Sequence, residues 1–283
     1  MQEESIPNYF LQAVVKNASG SGLDVNKLLS RAHISKALFS ERQARVSAKQ
    51  YAQLQAITMR EMNDEMLGYS QRSLHIGSWS AVCHWMIHAK TLSQALKRFC
   101  LFYSLMERGV KTELLAKSNR VTLQFSPWLE GESIEPYGYE LFMFGLHRLS
   151  CWLTESNLPI RQVKLNYPQP IHSHVYQALY PGAECIYEYP VCALVFDRRV
   201  MEVPIKQNFE SLSRFLKQPL LNILVNDYNV QSWTAKTRSA LRERLAMSPT
   251  IQDVSSAVGL HSKKLRRFLE SEGVSYIELK NQQ

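Results

Sequence analysis

The sequence contains 283 residues, of which 45% are hydrophobic, 20% charged and 10% aromatic, and its formal net charge is +8. This length fits a large domain with a small one, and the composition excludes a disordered, fibrous or disulfide-framed chain. The positive charge is compatible with an anionic partner, either nucleic acid or an acidic ligand, and the five cysteines include no C-x-x-C pair of the kind that zinc ribbons use.

The residues from Met1 to Ser5 are acidic and polar, and they lack both the basic and the apolar region of a secretory signal. No apolar run approaches the roughly 20 residues that a membrane-spanning helix needs. We therefore expect a cytoplasmic chain without membrane contact, in which the cysteines are buried, reduced thiols.

Helices are predicted for the first part of the chain. Between residues 6 and 66 apolar residues recur at helical spacing, and the tetrad Ser47-Ala-Lys-Gln50 fits a capping box at the start of a helix that runs to Met62. A second tetrad, Thr91-Leu-Ser-Gln94, predicts the start of an apolar-striped helix. Gly109 is its predicted carboxyl-terminal stop.

The hydrophobic period changes towards two after residue 110, which indicates strands. Residues 111–116 and 121–125 are predicted to form a hairpin around a turn at 117–120. Further along the chain we expect a helix over about 134–156, strands at 163–166, 185–187 and 192–196, and a helix near 172–180. This part of the chain is therefore predicted to have an α+β fold.

Residues 209–226 carry an amphipathic stripe from Leu212 to Leu224, with Pro219 as a predicted kink. The stripe is expected to pack either on its own domain or on a second copy of the chain. The polar stretch 227–237 is the best domain boundary, because the residues after it are basic and helical. The sequence predicts a mixed α+β domain over residues 1–227 and an all-α unit over residues 228–283.

Residues 249–269 have the spacing of a helix-turn-helix. Thr250 is placed to cap a first helix, whose first turn holds Asp253, a favourable position for negative charge. Gly259 supplies the conformational freedom that a sharp turn needs, and Ser262 is placed to cap the second helix.

The second helix separates apolar from cationic residues. Leu265, Phe268 and Leu269 form its predicted buried stripe. The predicted DNA-binding residues face outward and are Ser262, Lys263, Lys264, Arg266 and Arg267. A recognition helix inserts such residues into the major groove, where Arg or Lys donates hydrogen bonds to guanine O6 and N7. A short helical hairpin with a solvated basic face is the alternative interpretation of this segment.

Residues 237–283 resemble the first half of the AraC/XylS-type DNA-binding domain. The residues that carry the resemblance are the 238–245 helix, Thr250-Ile-Gln-Asp-Val, Gly259-Leu-His-Ser262, Leu265-Arg-Arg-Phe-Leu269 and Glu272-Gly-Val-Ser-Tyr276. The preceding part is similar to the arabinose-binding-type effector and dimerisation domain of these regulators. That similarity is carried by Thr91-Leu-Ser-Gln-Ala-Leu96, by residues 163–170 and by the aromatic segment 185–196.

The resemblance implies a transcription regulator that binds promoter DNA, responds to a small-molecule effector, forms a homodimer and works with RNA polymerase. The family's DNA-binding domain has two helix-turn-helix units joined by a long helix, and the sequence ends at Gln283, where that helix would begin. We therefore expect the carboxyl-terminal unit to be a truncated form of the family's domain. In this form, a ligand-sensing or protein-interaction module without specific DNA binding is the alternative function.

Aromatic residues of the first domain are candidates for an effector pocket, since ligand pockets are largely apolar with a few polar groups. The candidates are Trp128, Tyr137, Tyr139, Phe142 and His147. Packing in the hydrophobic core is the alternative interpretation of these residues.

Other chemistries find little support. Cys83, His84 and His88 have a helical spacing that zinc sites use, but no Glu follows His84 as a metalloprotease requires, and His172 and His174 lie in a proline-bounded stretch. There is no G-x-S-x-G nucleophile motif and no glycine-rich phosphate loop. We expect no catalytic residues, no metal and no cofactor, and an enzyme that uses the aromatic pocket is the more remote alternative.

Overall fold

The computed structural model describes most of the chain. The described residues are 5–41, 43–225, 233, 236–237, 240–241, 249–271 and 275–281. They fall into two compact units that meet in the sequence at residue 226, and each is treated by itself. The large unit combines helices with sheets and the small unit is helical, so the predicted α+β class is confirmed. The division of functions between the units stays a prediction.

The large unit begins with a cluster of helices and continues into a mixed region. Its helices are α1 Asn8–Val15, α2 Val25–Arg31, α3 Lys36–Ser40, α4 Ala48–Met62, α5 Ser78–Met86, α6 Leu92–Met106, α7 Pro136–Thr154, α8 His174–Leu179, α9 Phe209–Phe215 and α10 Pro219–Val225. None of the helices in the described ranges is long and apolar enough to cross a membrane.

Two antiparallel strands form a small sheet, β1 Ser5–Pro7 and β2 Arg45–Ser47. The main sheet has five strands in the order β3-β4-β7-β5-β6. These strands are β3 Lys111–Lys117, β4 Arg120–Ser126, β5 Ile160–Lys164, β6 Glu184–Ile186 and β7 Cys192–Asp197. Neighbouring strands are antiparallel except β5 and β6, which are parallel. The predicted hairpin and the three predicted strands are confirmed, with bounds that shift by up to three residues.

Local sequence signals explain how α4 and α7 begin. The hydroxyl of Ser47 accepts a hydrogen bond from the Gln50 backbone, and the Gln50 side chain accepts one from the Ser47 backbone, both at 3.2 Å, so the predicted capping box is confirmed. Helix α7 begins with Pro136, whose fixed φ suits a first helical position. It is largely buried through the middle of the unit, which places its side chains against several neighbouring elements.

Two predicted helix ends differ from the structure. Helix α6 stops at Met106 because Glu107 adopts a left-handed conformation with φ of 48°, so Gly109 is not the stop. The segment expected as one kinked helix is two helices, α9 and α10, because Pro219 starts a new helix. Its stripe packs on the large unit itself, where Leu212 is fully buried and Leu224 contacts the core.

The cysteines are all free thiols. Cys83, Cys151 and Cys192 are buried, as expected, whereas Cys100 and Cys185 are partly exposed. Burial raises the pKa of the Cys100 thiol to about 12, which keeps this group protonated at neutral pH.

The described helices of the small unit are α11 Ile251–Ala257, α12 Ser262–Ser271 and α13 Tyr276–Asn281. Their core contains Ala240, Leu241, Val254, Leu265, Leu269 and Leu279. Ala240 and Leu241 are helical, but most of the predicted 238–245 helix lies outside the described residues. Most of the predicted 227–237 boundary also lies outside the described residues, as do residues 272–274 of the segment that resembles the AraC/XylS-type domain.

Candidate functional site

Helix α11 begins as the sequence predicts. The Thr250 hydroxyl accepts a hydrogen bond from the Asp253 backbone N–H at 3.3 Å, and the Asp253 carboxylate accepts one from the Thr250 backbone N–H at 2.7 Å. This reciprocal cap satisfies two backbone donors that have no partner within a helix, and it places negative charge at the positive end of the helix dipole.

The turn between α11 and α12 depends on Gly259, whose φ of 70° lies in the left-handed region. After the turn, Leu260 N–H donates to the Ser255 carbonyl at 2.8 Å. Ser262 was predicted to cap α12 but is its first residue, one position after the cap. Its hydroxyl lies 3.1 Å from the Ser255 hydroxyl, and the two share a hydrogen bond. The small, buried Ser255 therefore links the two helices directly.

Helix α12 has one apolar face and one cationic face. Leu265 and Leu269 are fully buried, while Phe268 is only partly buried and stacks on Trp233 with ring centroids 5.0 Å apart. The four cations are exposed, namely Lys263, Lys264, Arg266 and Arg267. The Lys264 ammonium lies 5.8 Å from the centre of the Phe268 ring, which is a long cation–π contact. No ion pair within the described ranges involves these four cations. They are thus available to phosphates and to base edges.

The large unit contains a cavity of about 450 Å³, which we call the large cavity. This volume lies in the range that binds drug-sized ligands. Its walls are α4, the loop between α4 and α5, the start of α5, the middle of α7, and residues 216–221 with Ile223. Most lining side chains are apolar, and its charged residues are Arg60, Glu65 and Lys217.

Buried carboxylates shape the loop between α4 and α5. Asp64 accepts hydrogen bonds from three backbone N–H groups, those of Met66 at 2.9 Å, Gly68 at 2.7 Å and Leu74 at 2.7 Å. The next residue, Glu65, accepts two more at 2.8 Å, from Gly77 and Trp79 at the start of α5. Burial of the Glu65 carboxyl raises its pKa to about 7, against the lowering effect of these hydrogen bonds.

A second cavity of about 90 Å³, the small cavity, adjoins the large one. Four residues line both cavities, namely Leu141, Gly145, Leu220 and Ile223. The polar residues around the small cavity are Tyr51, Gln55, Tyr137 and Glu140. The hydroxyls of Tyr51 and Tyr137 are hydrogen-bonded to each other at 2.8 Å, whereas Gln55 Nε2 and Glu140 Oε2 have no partner in the described part of the chain.

The five predicted effector-binding residues are not brought to one place. Phe142 lines the large cavity and Tyr137 the small one. Tyr139 is fully buried elsewhere, and His147 is buried with its Nε2 2.9 Å from the Leu158 carbonyl oxygen. Trp128 lines neither cavity, and its Nε1 is buried without a partner among the described residues. The effector-binding role of this set stays a prediction, which the geometry supports for two of its members.

The carboxylates of both cavities were not among the residues predicted from the sequence. Glu140 is the only acidic residue between Pro136 and Thr154, and a lone carboxylate in such an apolar helix is the signal that points to a buried polar site. Gln55 and Glu65 carry no comparable signal. No group of three or more metal-ligating side chains occurs among the described residues, and His84 lies beside Phe209.

A mixed domain with a cavity, followed by two helices that meet at a glycine turn and expose cations, has the arrangement expected of a ligand-controlled regulator of transcription. The chain belongs to the AraC transcription regulators, because residues 22–205 match the family described as the arabinose-binding domain of AraC transcription regulator, N-term. The resemblance to this regulator family is thereby confirmed, while the truncation of the carboxyl-terminal unit stays a prediction.

One solved structure that resembles this chain is that of the transcriptional regulator CdpR from Pseudomonas aeruginosa. The sequence identity is 13% and the TM-score 0.36, over 90% of this chain and 80% of that chain. A superposition this loose transfers no function. No curated protein matches the chain significantly.

Proposed function

We propose that this protein is a sequence-specific DNA-binding transcription regulator whose binding to promoter DNA is controlled by a small-molecule effector. The observation that carries the proposal is the exposed cationic face of α12 behind a glycine turn, with Lys263, Lys264, Arg266 and Arg267 pointing away from the core. Membership of the AraC regulators supports it. RNA polymerase and a second copy of the chain are the protein partners that belong to this proposal.

The face of α12 suits two kinds of contact with DNA. Arginine presents a planar fork that donates two hydrogen bonds to one guanine edge or one phosphate, whereas lysine acts as a compact point charge. Ser262, Lys263 and Lys264 lie in the first turn of the helix, the part of a recognition helix that contacts base edges. Arg266 and Arg267 follow one turn later and are expected to reach a base edge or the flanking phosphates.

One wall of the large cavity offers a route by which ligand binding can affect the segment that leads to the small unit. One of its walls consists of residues 216–223, which belong to α10 and the segment before it, and α10 is the last described helix ahead of the small unit in the sequence. A ligand that fills the cavity contacts this wall and stabilises the arrangements that it fits. Control of DNA binding requires that the ligand prefer one arrangement, and such coupling typically amounts to about 1–3 kcal/mol.

Gel retardation with the DNA upstream of the protein's own gene tests the DNA-binding part. Replacing the four α12 cations by alanine should abolish retardation. A matched control removes the same charge from the large unit by replacing four exposed lysines, Lys27, Lys36, Lys97 and Lys117. Each phosphate contact contributes about 0.9 to the slope of log affinity against log salt, so any binding that the α12 variant retains at low salt should have a much smaller slope than that of the control.

Single replacements separate base contacts from phosphate contacts. Arg266→Ala should relax the preference for one base position if the side chain reads a base edge, whereas it should weaken all sequences equally if it contacts phosphate. Equal retardation by the four-cation variant and by its control would contradict the proposal. The chain would then be a ligand-sensing or protein-interaction module.

Homodimerisation is part of the same proposal, because paired recognition helices read two half-sites about one helical turn of DNA apart. The stripe from Leu212 to Leu224 does not supply the contact, since it packs on its own unit. Exposed apolar side chains remain on α6, where Leu105 is 74% exposed and Leu101 49%.

A further inference from the structure

Two buried polar side chains of the large unit line the small cavity without a hydrogen-bond partner. The Glu140 side chain is only 4% exposed and Gln55 is 2% exposed. Glu140 Oε2 is an acceptor without a donor, and Gln55 Nε2 is a donor without an acceptor, in the part of the chain that the structure describes. Buried polar groups in folded proteins almost always have partners, so both atoms require a partner other than the described residues, either an ordered water or a ligand.

The surroundings of Glu140 show which of its oxygens is left for a ligand. Oε1 accepts a hydrogen bond from the Tyr176 hydroxyl and lies 3.7 Å from His172 Nε2. The hydroxyls of Tyr51 and Tyr137 are paired with each other. Oε2 is therefore the oxygen of this carboxylate that is left without a donor, and His172 is the one basic side chain among the described residues that line the small cavity or are paired with Glu140.

The adjoining large cavity adds an apolar region with a second carboxylate. The two cavities share the walls formed by Leu141, Gly145, Leu220 and Ile223, so one ligand can extend from the small cavity towards the large one. The carboxylate of Glu65 is partly buried in the large cavity, whereas the two cations that line this cavity, Arg60 and Lys217, are exposed. Both interiors therefore favour a positive group over a negative one.

We infer that the effector is an apolar primary amine that also carries an oxygen acceptor. Its ammonium group donates to Glu140 Oε2, its oxygen accepts from Gln55 Nε2, and its apolar body extends into the large cavity. An ammonium–carboxylate hydrogen bond in a buried site is among the stronger polar contacts available to a ligand. The inference rests on the proposed function only in that the ligand is called an effector.

Isothermal titration of the full chain with three matched compounds tests this inference. The compounds are 2-amino-3-phenylpropan-1-ol, 3-phenylpropan-1-ol and 3-phenylpropanoate, which share a phenyl group and differ in the polar end. The amino alcohol should bind at least tenfold more tightly than the other two. Glu140→Gln keeps the shape and an acceptor for Tyr176 but removes the charge, so it should abolish this preference. The control Glu130→Gln removes an exposed carboxylate that lines neither cavity and should retain the preference.

A second variant covers the case in which Glu140→Gln does not fold. Gln55→Leu removes the donor and keeps the carboxylate, so it should weaken binding of the amino alcohol and leave binding of 3-phenylpropylamine, which lacks the oxygen, unchanged. Failure of the amino alcohol to bind, equal or tighter binding of the carboxylate, or an unchanged preference in Glu140→Gln would overturn the inference.

Gel retardation with and without these compounds separates this result from the proposed function. Amine binding without DNA binding in either condition would support the ligand site and refute the regulator. DNA binding without amine binding would refute the ligand class and leave the regulator standing.

Discussion

Two glycines of α7 lead to opposite expectations for the same substitution. A Cβ at Gly138 would lie 2.8 Å from Tyr69 Cβ and 2.9 Å from Ile134 Cγ2, distances that real Cβ atoms essentially never show. Both neighbours are fixed, because Ile134 is buried in a β-bridge with Ser70, and the Tyr69 hydroxyl donates to the Ala13 carbonyl at 2.7 Å. A Cβ at Gly145 would instead lie 3.4 Å from Trp79, an ordinary contact.

The expected changes in the free energy of unfolding follow from two effects. Alanine is favoured over glycine inside a helix by about 0.5–1 kcal/mol, and forcing an extra carbon into a filled space costs about 1–3 kcal/mol. Gly138→Ala should therefore destabilise the large unit by about 1–2 kcal/mol. Gly145→Ala should stabilise it by about 0.5–1 kcal/mol, since only the first effect operates there.

Urea denaturation of the full chain, followed by circular dichroism, measures both variants against the native protein. For a unit of this size, 1 kcal/mol corresponds to a change in Tm of roughly 2–4 °C, so thermal scans provide a second measurement. Gly145→Ala is the matched control for helix propensity. A Gly138→Ala variant as stable as Gly145→Ala would refute the reasoning, because it would mean that Tyr69 and Ile134 move aside at no cost.

Three further predictions concern pH, the glycine turn and assembly. Because burial raises the pKa of Glu65 from 4.5 to about 7, the folded state favours the neutral carboxyl. The free energy of unfolding should therefore fall as pH rises from about 4.5 to 7, by at most about 3 kcal/mol. Urea midpoints at pH 5 and pH 8 should show this loss in the native protein and not in Glu65→Gln; equal losses in both would exclude Glu65 as the source. Gly259→Val should destabilise the small unit by about 1–2 kcal/mol and leave the unfolding of the large unit unchanged, because φ at this position is positive. Gly259→Asn should be tolerated better. Since no atom lies within 4 Å of the added Cβ, equal stability of the two variants would argue against backbone strain. Sedimentation velocity at micromolar concentration should show a dimer, and a persistent monomer would refute this part of the proposal.

The sequence predicted the elements that depend on local rules. The capping box at Ser47 and the cap at Thr250 are signals within four residues, and the turn at Gly259 needs only one permissive residue at the right distance from them. The end of α6 was missed because Glu107 adopts a left-handed conformation that is uncommon for a residue other than glycine, asparagine or aspartate.

The cavities were beyond sequence analysis because their polar residues come from distant parts of the chain. Gln55 and Glu140 are separated by 85 positions and become neighbours of one cavity because α4 and α7 both pack against α10 and are linked by the Tyr51–Tyr137 hydrogen bond. The aromatic residues of α7 were sensible candidates, but a helix that is buried on all sides distributes them over several neighbours. Sequence periodicity shows that such a helix is buried and not which of its sides meets a cavity.

The loop after α4 has a consequence for how this protein can change its specificity. Asp64 holds the loop through backbone N–H groups, so these hydrogen bonds do not depend on which side chains stand at Met66 and Leu74, two buried positions that line the large cavity. Substitutions of similar volume at these two positions can therefore alter the shape of the cavity while the hydrogen bonds of Asp64 remain. Such a separation of scaffold from lining makes a new ligand preference accessible through single substitutions, both in evolution and in the engineering of a biosensor.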